Sequence, residues 1–229
     1  MFYLDPTFII LIPGLILAFW AQIKVQTTFS KYSRIPSGYN GTAAQAANHM
    51  LSRLGDMDIK IEKTQGMLTD HYDPKSHTLR LSQGVYSSNS IAALGVAAHE
   101  SGHAMQQNEG YAPLKLRNAA VPYVAVSSNL SITIFILGLI MSANLLVNIG
   151  IIMFASGVVF SLITLPVEFD ASRRAVAMLK ENNIIMSRSE EEGVKRVLNA
   201  AALTYVAAAV TSILNLWRLI IIRNRSQKN

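Results

Sequence analysis

The chain contains no cysteine. Disulfide staples and thiolate metal ligands are therefore both excluded, and any metal site must be built from nitrogen and oxygen donors. Charge is scarce as well. Only 15% of the 229 residues are charged, against roughly 25% in an average soluble domain, and the mean hydropathy is +0.30. A chain so poor in charge and 51% hydrophobic reads as a membrane protein. There is neither an internal repeat nor a low-complexity tract. The net charge of +6 does not point to nucleic acid, because the basic residues crowd around the apolar blocks as membrane-flanking charge.

Four such blocks are present. "FIILIPGLILAFWAQIKV" (Phe8 to Val25) has no Lys or Arg before it, and "AFWAQ" is a poor cleavage site, which favours an uncleaved anchor over a signal peptide. Val121 to Met141 and Leu145 to Leu165 carry no charge, and each approaches the ~20 residues needed to cross ~30 Å of hydrocarbon. Only "SAN" separates them, so a tight helical hairpin is expected. The last block, Ala201 to Ile222, is long enough to span but carries Asn215 and Arg218. The expected organisation is an anchor over 1–25, a catalytic segment over 26–120, a hairpin over 121–166, a second catalytic segment over 167–199, and a final span with a basic tail over 200–229.

The hairpin leaves and returns on one face, so both polar segments share one side of the membrane. In the first, "YNGTAAQAANHMLSRLG" reads as a helix capped by Thr42 and stopped by Gly55. "DIKIEK" (58–63), "MLTDHY" (67–72) and "HTLRLS" (77–82) read as three short antiparallel strands, the last two joined by the turn sequence "DPKS". A helix over 91–107 follows, too apolar for a surface element. In the second segment, "VEFDASRRAVAMLKEN" reads as an amphipathic helix, and "SEEEGVKRVL" opens another with a capping box from Ser189 to Glu192.

The chemistry concentrates in "GVAAHESGHAMQ", Gly95 to Gln106. Five His and eight Glu in 229 residues make a chance His-Glu-x-x-His rare. On a helix, positions i and i+4 share a face, so His99 and His103 can both reach one metal ion. Glu100 is offset by about 100°, which suits a base beside the metal rather than a ligand. The bland alternative is three polar residues on an apolar helix. Leaving them unsatisfied there costs roughly 1–3 kcal/mol each, which a metal removes. Gly95 and Gly102 cost helix stability and allow another element to approach.

A catalytic zinc takes three protein ligands and keeps one open position. Glu109 lies at metzincin spacing after His103, but Gln106 stands where that arrangement needs glycine. His71, His77 and His49 read as surface or helix histidines. The stronger candidate is Glu168 in "PVEFDASRRA", at the membrane exit of the third block, where an unpartnered carboxylate is expensive. Asp170 is a candidate to orient a histidine. The alternative is an interfacial carboxylate pair neutralised by Arg173 and Arg174.

"HESGH", a hairpin of spans and then "EFDASRRA" together resemble the YugP-type family of bacterial membrane zinc metallopeptidases, along nearly the whole chain including "DHYDPKSHTLRLSQGVYSSNSIAALGVAAHE". The likeness extends more distantly to HtpX-type and prenyl-protein-processing membrane proteases. In those, a helix glutamate supplies the third ligand and an Asp usually follows four residues later. Glu168 matches the ligand, whereas Ser172 occupies the Asp position. The resemblance implies a mainly α integral membrane protein with about four transmembrane helices. It also implies a zincin-like α+β catalytic domain with a small antiparallel sheet, and one Zn2+ bound by His99, His103 and Glu168. It implies that Thr78, Leu79, Arg80 and Leu81 form an edge on which an extended polypeptide substrate pairs; the alternative for this strand is plain sheet core.

Eleven basic residues, from Lys24 to Arg196, flank the spans on the motif side. The positive-inside rule then places the catalytic domain in the cytoplasm of a bacterial inner-membrane protein, although Arg223, Arg225 and Lys228 in the tail oppose this. The expected partners are a polypeptide substrate and the lipid bilayer, with no nucleic acid. The expected activity is zinc-dependent endopeptidase action on unfolded or membrane-associated polypeptides. Two rivals remain: a non-catalytic zinc-binding scaffold, which has no need of Glu100, and a transporter, for which no span carries a central ion pair.

Overall fold

The computed structural model describes residues 6–52 and 58–227. A 3-10 turn, Pro6–Leu11, leads into α1 (Ile12–Tyr32), followed by α2 (Ala43–Leu51), β1 (Lys60–Thr64), β2 (His71–Asp73), β3 (Thr78–Ser82) and α3 (Gln83–Tyr86). Then come α4 (Ile91–Asn108), α5 (Ala112–Ile140), α6 (Asn144–Glu181) and α7 (Arg188–Ser226). Four helical stretches, Pro6–Tyr32, α5, α6 and α7, are long and apolar enough to cross a membrane. The chain divides into two compact units: the described residues of Met1–Gln22, Leu116–Leu165 and Thr204–Asn229 form one, and Ile23–Lys115 with Pro166–Leu203 the other.

The first unit contains the apolar hairpin. Its turn falls between Ile140 and Asn144, as the "SAN" linker requires. The two arms approach closely because Gly150 lacks a side chain: a Cβ there would sit 2.7 Å from the Phe135 nitrogen. Such a glycine contact is characteristic of helix pairs in lipid, where close packing replaces the hydrophobic effect. The Arg218 side chain, out of place in an apolar block, donates from Nε to Thr7 Oγ1 at 3.1 Å and lies 4.1 Å from the Phe8 ring centroid. Thr211 donates to the Gly14 carbonyl at 3.2 Å. These two contacts run in opposite directions along the sequence, so α1 and α7 are antiparallel here.

The second unit has a core of Met50, Leu79, Leu81, Leu94, Leu179, Ile184 and Val194, all buried. Full burial of such side chains stabilises by about 1.5–3 kcal/mol each. Helix α2 opens with the Thr42 cap: Gln45 N donates to Thr42 Oγ1 at 3.3 Å, and Thr42 N donates to Gln45 Oε1 at 2.8 Å. Its expected stop at Gly55 lies outside the described residues. Helix α4 starts at the Ser90 cap.

Two expectations change. The sheet is mixed, in the order β1-β3-β2, with β3 parallel to β1 and antiparallel to β2. Strand β3 is therefore the central strand. Thr78, Leu79 and Arg80 have neighbours on both sides and Leu81 is buried against α-helices in the core, so this segment is not the edge expected of it. The edges are β1 and β2. Secondly, the capping box of α7 is Ser187 with Glu190, not Ser189 with Glu192. Glu190 N donates to Ser187 Oγ at 3.2 Å and Ser187 N to Glu190 Oε2 at 3.0 Å. Glu190 wins because its other oxygen accepts the Gly38 N–H at 2.6 Å, a second partner from the loop after α1.

Candidate metal centre

The site lies in the second unit, where α4 meets the part of α6 that follows Pro166. Gly102 makes the meeting close: a Cβ there would be 2.6 Å from the Ala171 carbonyl oxygen. Two helices at that distance bring the histidine face of α4 against Glu168, which is 2% exposed. Gly95 meets Val194 Cγ1 at an ordinary 3.6 Å and has no comparable role.

His99 Nε2 lies 3.1 Å and His103 Nε2 3.6 Å from Glu168 Oε2. One ligand atom from each of the three residues falls within 4.8 Å of the others. The two imidazoles meet edge to face, with centroids 4.8 Å apart and planes at 82°. Two ring nitrogens and a carboxylate oxygen, all lone-pair donors, thus converge on one point. Burial disfavours charge on His103, but its hydrogen bond to Glu168 and the fields of Glu100 and Glu168 outweigh that, and its pKa is raised. The pocket is electronegative and favours a cation. Two histidines and a glutamate are a zinc donor set, so the residues present fit the ion.

The far nitrogens of both rings are engaged. His99 Nδ1 is 3.1 Å from Ser172 Oγ, so Ser172, four residues after Glu168, contacts a candidate ligand. Asp170 contacts neither histidine. Its oxygens receive Arg173, Arg174 and, at 3.0 Å, Gln106 Nε2. Gln106, fully buried, is the side chain that reaches His103, with Oε1 3.0 Å from Nδ1. The His-Glu-x-x-His motif does not include it, although it stands three residues after His103 on the same helix face. Glu109 is paired with Arg174 Nη1 at 2.6 Å and is not among the converging groups.

Glu100 lies beside these residues without joining them. Its Oε2 accepts the backbone N–H of Tyr72 at 3.0 Å. Because Tyr72 pairs with Leu79 of β3 yet gives its N–H to Glu100, that N–H points away from β3, on the outer side of β2. Burial pushes the Glu100 carboxyl above its ordinary range, with His99 and His103 only partly offsetting it. His71, His77 and His49 are absent from the cluster of metal-binding type found among the described residues.

Residues 7–224 match the family model described as "Putative neutral zinc metallopeptidase". The chain belongs to that family. It is 45% identical over 211 residues to the "Putative membrane protease YugP" of Bacillus subtilis (strain 168), covering 92% of this chain and 93% of that protein. No solved structure matches it. Membership of a zinc metallopeptidase family and the likeness to a membrane protease agree with four apolar helices and with a two-histidine, one-carboxylate cluster.

Proposed function

We propose that the protein is a membrane-embedded zinc endopeptidase of zincin-like, gluzincin-like design, holding one Zn2+ by His99, His103 and Glu168. The observation that carries this reading is the convergence of those three side chains within 4.8 Å, with Glu100 next in sequence to His99. When bound, zinc supplies Lewis-acid polarisation of a peptide carbonyl and acidifies water at the site.

The chain's own groups do the rest. Glu100 takes a proton from the attacking water at a carboxylate oxygen. As the C–N bond breaks, it returns that proton to the nitrogen of the leaving amine. The Tyr72 N–H orients the carboxylate, and desolvation keeps it responsive. An extended substrate adds to an outer strand of the sheet and not to β3, whose neighbours are already in place. Backbone pairing of this kind reads main chain more than side chains, which fits unfolded or membrane-associated polypeptides as substrates. The basic flanks favour a cytoplasmic catalytic side in a bacterial inner membrane, with no nucleic-acid partner.

A non-catalytic zinc scaffold has no use for Glu100 or for an amide that aims it. Casein cleavage by detergent-purified protein, with and without a chelator, separates the two readings. Chelator-sensitive cleavage that returns on adding zinc supports the peptidase; stoichiometric zinc without cleavage of casein or of extended peptides favours the scaffold.

A further inference from the structure

We infer that Gln106 is a positioning residue for His103, fixing which ring nitrogen carries the proton and so aiming Nε2 at the metal position. The inference rests on the zinc reading above only for its final step.

The side-chain amide of Gln106 has no freedom left. Its Nε2 donates to the Val167 carbonyl at 2.8 Å and to Asp170 Oδ2 at 3.0 Å. Both amide protons are thereby used, and Oε1 is left as an acceptor. That oxygen is the atom 3.0 Å from His103 Nδ1. An acceptor at that distance requires Nδ1 to carry hydrogen. In the neutral ring Nε2 then keeps its lone pair, and Nε2 is the nitrogen that faces Glu168.

The orientation of the amide is itself enforced. Asp170 is held by Arg174, which is also bound to Glu109 and stacks 5.6 Å from the Tyr111 ring centroid. Turning the Gln106 amide over would point its oxygen at a carboxylate and a carbonyl, leaving two buried acceptors opposed. Because the amide is fully buried, no water is available to relieve that arrangement. Gln106 sits on α4 and its two acceptors sit on α6, so one side chain both locks the imidazole and ties the helices that supply the ligands. Ser172 does less for His99, since a hydroxyl can turn to give or to accept.

The test uses full-length protein in detergent with 15N-labelled histidine. In the metal-free protein, at a pH high enough for His103 to be neutral, its signals should report the Nδ1–H form. Gln106→Met, which keeps the volume and removes the hydrogen bonds, should shift His103 toward the Nε2–H form and weaken zinc binding about 10–100-fold. Wild-type tautomer and wild-type zinc affinity in a folded Gln106→Met would overturn the proposal. Loss of fold in that variant passes the decision to the wild type, where a neutral His103 in the Nε2–H form overturns the proposal equally. If the wild type shows the Nδ1–H form but takes up no zinc, the tautomer assignment stands and the zinc reading fails.

Discussion

The backbone N–H of Tyr72 donates to Glu100 Oε2 at 3.0 Å. This links the outer side of β2 directly to the proposed base. Tyr72→Pro removes that N–H without removing a bond to β3, and proline is tolerated on edge strands for that reason. A hydrogen bond to a charged group is worth about 1.5–3 kcal/mol, so kcat/KM should fall by roughly 10–100-fold with zinc content unchanged. Steady-state cleavage of a fluorogenic peptide checks this, and a wild-type rate would remove Tyr72 from the site.

Glu100→Gln keeps the shape and removes the proton acceptor. General-base catalysis contributes typically 10²–10⁴-fold, so turnover should drop by about that factor while one zinc per chain stays bound. Metal analysis beside the cleavage assay tests the two halves together. Loss of zinc in this variant would make Glu100 a ligand instead.

Gly102→Ala places a methyl group 2.6 Å from the Ala171 carbonyl oxygen. Backbone cannot yield as a flexible side chain does, so α4 and α6 must separate. Overpacking of this kind costs about 1–3 kcal/mol, and the thermal midpoint should fall accordingly. Zinc affinity should fall with it, because His103 and Glu168 stand on the two helices being forced apart. Gly95→Ala, facing ordinary contacts at 3.6 Å, should leave zinc affinity unchanged and raise the thermal midpoint slightly, since glycine costs about 1 kcal/mol in a helix interior.

Glu190 accepts hydrogen bonds from the Gly38, Met186 and Ser187 backbone N–H groups. Burial raises its pKa, but these bonds outweigh that and leave it below the ordinary value of 4.5. A depressed carboxylate contributes stability that is fully present above its unfolded pKa and is lost as pH falls through the folded one. Glu190→Ala should therefore cost about 1–3 kcal/mol near neutral pH, with the difference from wild type shrinking below about pH 4.5. Chemical unfolding at pH 7 and at pH 3.5 measures it; a pH-independent difference would contradict the assignment.

The features that depend on local periodicity were readable from the sequence. The His99–His103 spacing, the apolar hairpin and the Thr42 cap each follow from neighbours within one or two helical turns. What depended on distant partners was not. Strand order placed β3 in the middle because its Leu79 and Leu81 are needed in the core, and no single strand carries that information. The two overlapping Ser-x-x-Glu sequences at 187–192 are locally equivalent, and the contact from Glu190 to Gly38 chooses between them. Gln106 looked like a missing glycine. Its position on the buried face of α4 was the available signal, since a buried amide requires partners.

Zinc content of the purified wild type beside Glu168→Ala, with Glu109→Ala as the control, tests the three-residue site most directly. One zinc per chain in the wild type and in Glu109→Ala, and its loss in Glu168→Ala, is the predicted result. Full retention in Glu168→Ala, or none in the wild type, would contradict the assignment.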